Sequence, residues 1–298
     1  MGEAAALLSA FCWAATSVGL ARLGTKYNGA MLSGLRFLIA SPVVIALLFI
    51  SGDASVLWYA PIAAILAVVA SACMNYAIAD TMYVRALPRI GLQRMSPPVT
   101  GIWVALSTLG GVLILGEHAS VNLLVGGILV VAGTYFIVAG RIEGLPDTTG
   151  PDRPGPVATL LTMLAVAGGW AVSTLLIAGG RGTLDPIAVT ALRVPVGGLL
   201  IALVLTATTR GDVFRRLPEP RDLPLIIGIG VLGTALGGLA YIYAVAEAGA
   251  ARAVILNATS PLMVVPLSML FLGERPTARV GLGTLCCLAG TLIVVAAR

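Results

Sequence analysis

The feature that most constrains this chain is its succession of long apolar runs. Residues 4–21, 29–50, 56–82, 91–115, 121–140, 157–179, 186–208, 222–246, 250–272 and 278–297 are nearly free of charge, and short breaks of charge, Gly or Pro separate them. Each run approaches the about 20 residues with which an α-helix crosses about 30 Å of hydrocarbon. Inside a bilayer every backbone N–H and C=O must find a partner in the protein, which leaves helices or a closed barrel. The runs lack the two-residue alternation of barrel strands. Only 10% of the residues are charged and 58% are hydrophobic, whereas soluble domains are about 25% charged. The expected class is therefore an all-α membrane protein with ten transmembrane helices. Its connections are short. The longest polar stretch, 141–156, carries Pro146, Pro151, Pro154 and Pro156 and reads as a linker. The first run has no basic residue before it, while Arg22 and Lys26 follow it. That order is the reverse of a cleavable signal peptide, so the run is kept as a membrane helix.

Several functional classes fall away. Cys12, Cys73, Cys286 and Cys287 all lie inside apolar runs and read as small buried hydrophobes. The lone His118 builds no metal site, so neither a metal nor a cofactor is expected. No Gly-x-Ser-x-Gly elbow, zinc motif or cluster of titratable groups supports an intramembrane enzyme.

Sliding the sequence along itself by 157 residues brings unlike, information-rich residues into register without a gap. Trp13 falls on Trp170, Thr16 on Ser173, Ser17 on Thr174, Leu35-Arg36 on Leu192-Arg193, and Leu115-Gly116-Glu117 on Leu272-Gly273-Glu274. Ala132-Gly133-Thr134 falls on Ala289-Gly290-Thr291. Glycine and alanine coincide by chance in such a composition; Trp, Arg and Glu at one offset do not. The organisation expected is a first repeat over 1–141, a linker over 142–157 and a second repeat over 158–298. Each repeat holds five helices, an odd number, so the second enters the bilayer upside down relative to the first. Inverted repeats belong to secondary transporters, because exchanging the conformations of the two halves exchanges access between the two sides. A duplicated structural bundle and a channel are the alternatives.

Sixteen of the 18 basic residues lie in loops or at helix ends, and Arg36 and Arg193 are the exceptions. With ten spans, Arg181, Arg252 and Arg298 share one side with the termini. The other side collects Arg22, Lys26, Arg85, Arg89, Arg94, Arg141, Arg153, Arg210, Arg215, Arg216, Arg221, Arg275 and Arg279. This bias of 13 to 3 places the basic side in the cytoplasm and the termini outside. It also accounts for the net charge of +5 without invoking nucleic acid.

At this point the residues carry a family likeness. Tyr83-Val84-Arg85-Ala86-Leu87, then Leu113-Ile114-Leu115-Gly116-Glu117, then Gly126 through Gly133-Thr134 form one copy of a motif series. The second copy runs from Tyr241-Ile242-Tyr243 through Ala250-Ala251-Arg252, Ser260-Pro261-Leu262 and Leu272-Gly273-Glu274-Arg275 to Ala289-Gly290-Thr291. Together they resemble the ten-helix EamA branch of the drug/metabolite transporter superfamily, over nearly the whole chain. The family's proline, 13 residues before the Gly-Glu glutamate, is Pro261 in the second copy; its first-copy counterpart is Val104, with Pro97 and Pro98 earlier. The resemblance implies a transporter of amino acids or related compounds, with a cavity walled by helices 1, 3, 4, 6, 8 and 9.

Polar residues inside the runs select the same helices. Such groups are costly in lipid and normally face protein or a water-filled cavity. Trp13, Thr16 and Ser17 share one face of helix 1, and Trp170, Ser173 and Thr174 repeat them on helix 6. Tyr76, Asp80 and Tyr83 share a face of helix 3. Gln93, Ser96, Thr100 and Trp103 stripe helix 4, Asn257 and Ser260 stripe helix 9, and Tyr241 lies on helix 8. These are the candidate substrate-binding residues; packing by small residues is the bland reading of several. Arg36, Arg193 and Glu247 are candidates for gating or ion pairs; binding a carboxylate or snorkelling to the surface are the alternatives for the two arginines, and end-capping for Glu247. Glu117 and Glu274 are read as structural. Helices 5 and 10 are Gly-rich packing elements. The expected function is an alternating-access secondary transporter of the inner membrane, most simply an exporter of small metabolites. Its partners are a small-molecule substrate, the lipid bilayer and, through Asp80, protons, in a monomer or homodimer. Efflux of cationic drugs coupled to protons by Asp80 is the rival, with cation–π recognition by the tryptophans and tyrosines.

Overall fold

The computed structural model describes residues 1–23, 26–27, 29–83, 86, 92–118, 120–140, 155–209, 218–260, 262–263, 266–267, 270 and 277–296. Side chains at 21–22, 29–30, 53, 92–98, 137–140, 156 and 208–209 lie outside that description. Among these residues the chain is helical and contains no strand. The long helices are α1 (Gly2–Leu23), α2 (Gly29–Ile50), α3 (Ile62–Tyr83), α4 (Leu92–Leu115), α5 (Val121–Gly140), α6 (Pro156–Gly180), α7 (Pro186–Thr209) and α8 (Pro220–Ala248). They are followed by α9 (Ala250–Asn257) and α10 (Ala278–Ala296). Seven of the described helices are long and apolar enough to cross a membrane, and Val99–Leu115 and Val121–Phe136 are shorter apolar segments. Their outward faces are lined with leucine, isoleucine and phenylalanine, Ile50, Leu113, Ile114 and Leu292 among them. A surface this apolar is stable against lipid and not against water.

Two helices differ from the sequence reading. The run at 56–82 is not one helix: a single turn, Val56–Tyr59, ends at Ala60, whose extended backbone (ψ 137°) precedes Pro61. A residue before proline is pushed out of the helical region by the proline ring, so α3 begins only at Ile62. Trp58 and Tyr59 on the detached turn are 89% and 88% exposed, suited to the headgroup level of a membrane. The run at 250–272 is helical to Asn257, turns at Ala258–Thr259, and is helical again at Ser260, Leu262, Met263, Pro266, Leu267 and Leu270. Proline at 261 has no N–H to give to the Asn257 carbonyl, so the helical hydrogen-bond ladder is interrupted there. In the first half, where Val104 replaces that proline, α4 continues unbroken to Leu115.

The helices pair in a pattern that survives exchange of the two halves. α1 packs on α8 and α9, and α6 on α3 and α4; α2 packs on α7, α4 on α9 and α5 on α10. The α5–α10 contact is backbone to backbone. A Cβ added at Gly133 would lie 2.6 Å from the Gly283 carbonyl oxygen, and one at Gly290 2.7 Å from that of Gly126. Under the 157-residue shift Gly126 becomes Gly283 and Gly133 becomes Gly290, so the two close approaches exchange. Close approach of this kind is the use of small residues in membrane helices, where packing and not hydrophobicity drives association. α3 and α8 also share a rarer feature. Both widen to i→i+5 hydrogen bonding, over Cys73–Asp80 and Ile229–Gly237. These stretches end 157 residues apart, and such widened turns often accompany functional sites.

Candidate functional site

The widened turn of α3 carries Tyr76 and Asp80 into the centre of the bundle. Asp80 accepts from Arg36 Nη2 of α2 at 3.3 Å and from Trp170 Nε1 of α6 at 2.9 Å, so each carboxylate oxygen has a partner. The ion pair is nearly dry, with side-chain exposures of 7% for Arg36 and 15% for Asp80. The Arg36 guanidinium also lies over the rings of Trp13, at 5.3 Å, and Phe37, at 5.1 Å. Gly169 lets α3 approach closely here, since a Cβ at that position would lie 2.9 Å from the Ala79 Cβ.

Arg193 of α7, the counterpart of Arg36, has different neighbours. Its Nη2 donates to Ser173 Oγ at 2.7 Å, and Ser173 in turn donates to the Ser71 carbonyl at 2.9 Å. The guanidinium sits 4.7 Å from the ring centre of Tyr76. Tyr76 packs against Phe37, beside Arg36, with ring centres 4.4 Å apart. Tyr76 thus lies between the two arginines. The residue 157 positions beyond Asp80 is Gly237, so the repeat supplies two arginines but one carboxylate. An aromatic wall completes the cluster. Trp170 contacts Tyr83 at 5.4 Å and Trp103 at 5.9 Å, and Trp103 contacts Tyr241 at 6.3 Å. The Tyr241 hydroxyl shares a hydrogen bond of 2.8 Å with Thr174. Among the described residues, Arg36 Nε, Arg193 Nε, Trp103 Nε1 and Thr16 Oγ1 are buried without a hydrogen-bond partner.

Most of the residues singled out from the sequence therefore meet: Trp13, Arg36, Tyr76, Asp80, Tyr83, Trp103, Trp170, Ser173, Thr174, Arg193 and Tyr241. Others stand apart. Thr16 is buried against Gly233 of α8, and Ser17 is exposed and donates to the Trp13 carbonyl. Asn257 is buried and donates to Ser9 at 2.8 Å, a pair linking α9 to α1. Thr100 and Ser260 are half-buried. Glu247 is exposed near the end of α8, and among the described residues no ion pair forms on it. The side chains of Gln93 and Ser96 lie outside the described residues. Ser71, Ser9 and Phe37 join these contacts without having been singled out. Ser9 was accessible, since it lies one turn before Trp13; Ser71 takes part through its carbonyl, which no side-chain pattern reveals. Glu117 is structural, as read: it accepts from the Ala250 and Ala251 amides at 2.6 and 3.0 Å and caps α9.

The two ends of the bundle are each tied. Arg252 pairs with Glu3 at 3.1 Å beside the Glu117 cap. At the opposite end Lys26 and Tyr27, after α1, both donate to Asp222 at the start of α8, at 3.2 and 2.7 Å.

Comparison with known proteins agrees with this architecture. The sequence pattern of the EamA-like transporter family matches residues 1–139 and again 157–296. An uncharacterised protein of Pseudomonas aeruginosa is 28% identical over 187 residues, which is 62% of this chain and 59% of that relative, so the chain spans about three fifths of its length. A solved crystal structure superposes with a TM-score of 0.81 at 16% identity, covering 100% of this chain and 97% of the other. That likeness is one of fold.

Proposed function

Since the chain belongs to the EamA-like transporter family, and is a multi-pass membrane protein by its apolar helices, we propose that it is an alternating-access secondary transporter. In this reading ten helices form two inverted five-helix repeats, and small metabolites such as amino acids are exported across the inner membrane. The observation that carries it is the central cluster itself. The equivalent helices α2 and α7, joined by α3 of the first half and α6 of the second, converge on one buried polar site, while separate ties hold the two ends of the bundle. Alternating access needs a site between two related halves and two gates that open in turn. The exchangeable Gly126–Gly290 and Gly133–Gly283 approaches support a two-fold axis between α5 and α10. A duplicated structural bundle gives no reason to place paired arginines and a carboxylate at its centre, where each is expensive.

The drug-efflux alternative rests on Asp80 as counter-ion to a cation. Both oxygens of Asp80 are engaged, by Arg36 and Trp170, which speaks against a cation docking there. The reading is tested by uptake into proteoliposomes across a metabolite panel, with and without a pH gradient. Flux that depends on the protein and shows counter-transport is expected. Failure of every solute under both conditions refutes it.

A further inference from the structure

The charge in the central cluster does not balance. Arg36 and Arg193 are 6% and 2% exposed, and Asp80 is the one carboxylate that meets them among the described residues. Asp80 is taken by Arg36. Arg193 has a hydroxyl and an aromatic face as its neighbours, and no ion pair forms on it among the described residues. A guanidinium has five N–H donors, and Nε of Arg193 is buried with no acceptor. Burying a cation without a counter-charge is costly unless an anion joins it. The indole N–H of Trp103, in the same aromatic wall, is likewise buried and unpartnered.

We propose that Arg193 is the anion-recognition residue of the transport site, and that the transported solute carries a carboxylate which Arg193 binds through its planar fork. This rests on the transport reading above and narrows it to acids and zwitterions, excluding neutral amides and simple amines. Ser173 takes one Nη2 proton and Tyr76 one face, and Nε–H is left for the incoming anion. Planar two-point binding of a carboxylate is what arginine does and lysine does not. Asp80 takes part indirectly: by neutralising Arg36 it leaves one net positive charge, matched to one carboxylate.

The test uses the full-length protein and matched probes: L-leucine against L-leucinamide and isopentylamine, and lactate against lactamide. Unfolding temperature of the purified protein and flux into proteoliposomes are both read. At least one acid is expected to stabilise the protein and to move, while its amide and amine do neither. In Arg193→Gln the acid's affinity should fall by about tenfold or more, as for loss of a charged hydrogen bond, and Arg193→Lys should recover only part of it. Should Arg193→Gln not fold, the acid–amide contrast in the native protein and the Arg193→Lys loss decide the matter. Equal response to acid and amide, or undiminished affinity in a folded Arg193→Gln, overturns the proposal. Movement of amides or amines without acids overturns it while leaving transport intact. If none of the probes binds or moves, the carboxylate assignment falls, and the broader metabolite panel separately judges whether transport falls with it.

Discussion

At the scale of single residues the Arg36–Asp80 pair should dominate stability. Replacing Asp80 by Asn leaves a buried guanidinium unpaired, and breaking one side of a buried pair costs about 3–5 kcal/mol. Asp80→Asn should therefore melt well below the native protein in detergent. Arg36→Gln combined with Asp80→Asn should regain most of that loss, because neither charge is then stranded. A single variant that unfolds at the native temperature would show that the pair is not formed. Glu117 offers a second case. Its carboxylate takes two of the amides at the start of α9, and hydrogen bonds to charged groups contribute about 1.5–3 kcal/mol each. Glu117→Ala should speed hydrogen exchange at Ala250 and Ala251 ahead of the rest of the bundle, and an unchanged exchange rate there would count against the cap. The sequence pointed to Arg36 and Asp80 separately, as polar interruptions repeated or isolated in apolar runs. It did not point to their pairing. The two lie 44 positions apart, on helices whose mutual rotation is set by packing and not by periodicity.

Among the elements, α5 and α10 were readable because their signal is local. Glycines spaced along two apolar helices have few uses other than close approach, and the structure puts Gly133 against Gly283 and Gly126 against Gly290. Gly133→Val should displace α10 and lower the unfolding temperature sharply. Gly281→Ala is the control: a Cβ there meets nothing within 4 Å, and removing a helical glycine gains about 1 kcal/mol in propensity. Equal effects from the two variants would mean that backbone proximity is not what the glycines provide. Element boundaries were less legible. The apolar run continues straight through Ala60-Pro61, so hydropathy joins what the proline ring separates. The end of α9 at Asn257 is a backbone effect of the same kind, exerted four residues upstream of Pro261. The widened turns of α3 and α8 left no trace in composition, since one carries Tyr76 and Asp80 where the other has Gly233 and Gly237.

For the whole molecule the remaining question is which end faces the cytoplasm. The tie of Lys26 and Tyr27 to Asp222 and the tie of Glu3 to Arg252 mark opposite ends. Of the 16 basic residues in loops or at helix ends, the ten-span reading of the sequence assigns 13 to the first end. Translocating arginine-rich loops is unfavourable, so that end should remain inside. α7 separates the two ends: Thr183 lies in the exposed turn before it, and Glu219 is exposed in the segment before α8. Its 24 residues span about 36 Å at 1.5 Å per residue, enough to cross the hydrocarbon. In a variant with Cys12, Cys73, Cys286 and Cys287 replaced by alanine, Thr183→Cys should react with a membrane-impermeant maleimide in intact cells. Glu219→Cys should react only after the membrane is opened. The reverse order would invert the whole assignment. The Arg252–Glu3 tie would then become the cytoplasmic gate, and the excess of arginine would need an explanation other than orientation. Because both sites are exposed loop positions away from the central cluster, the outcome reads topology without disturbing the pair that holds the core together.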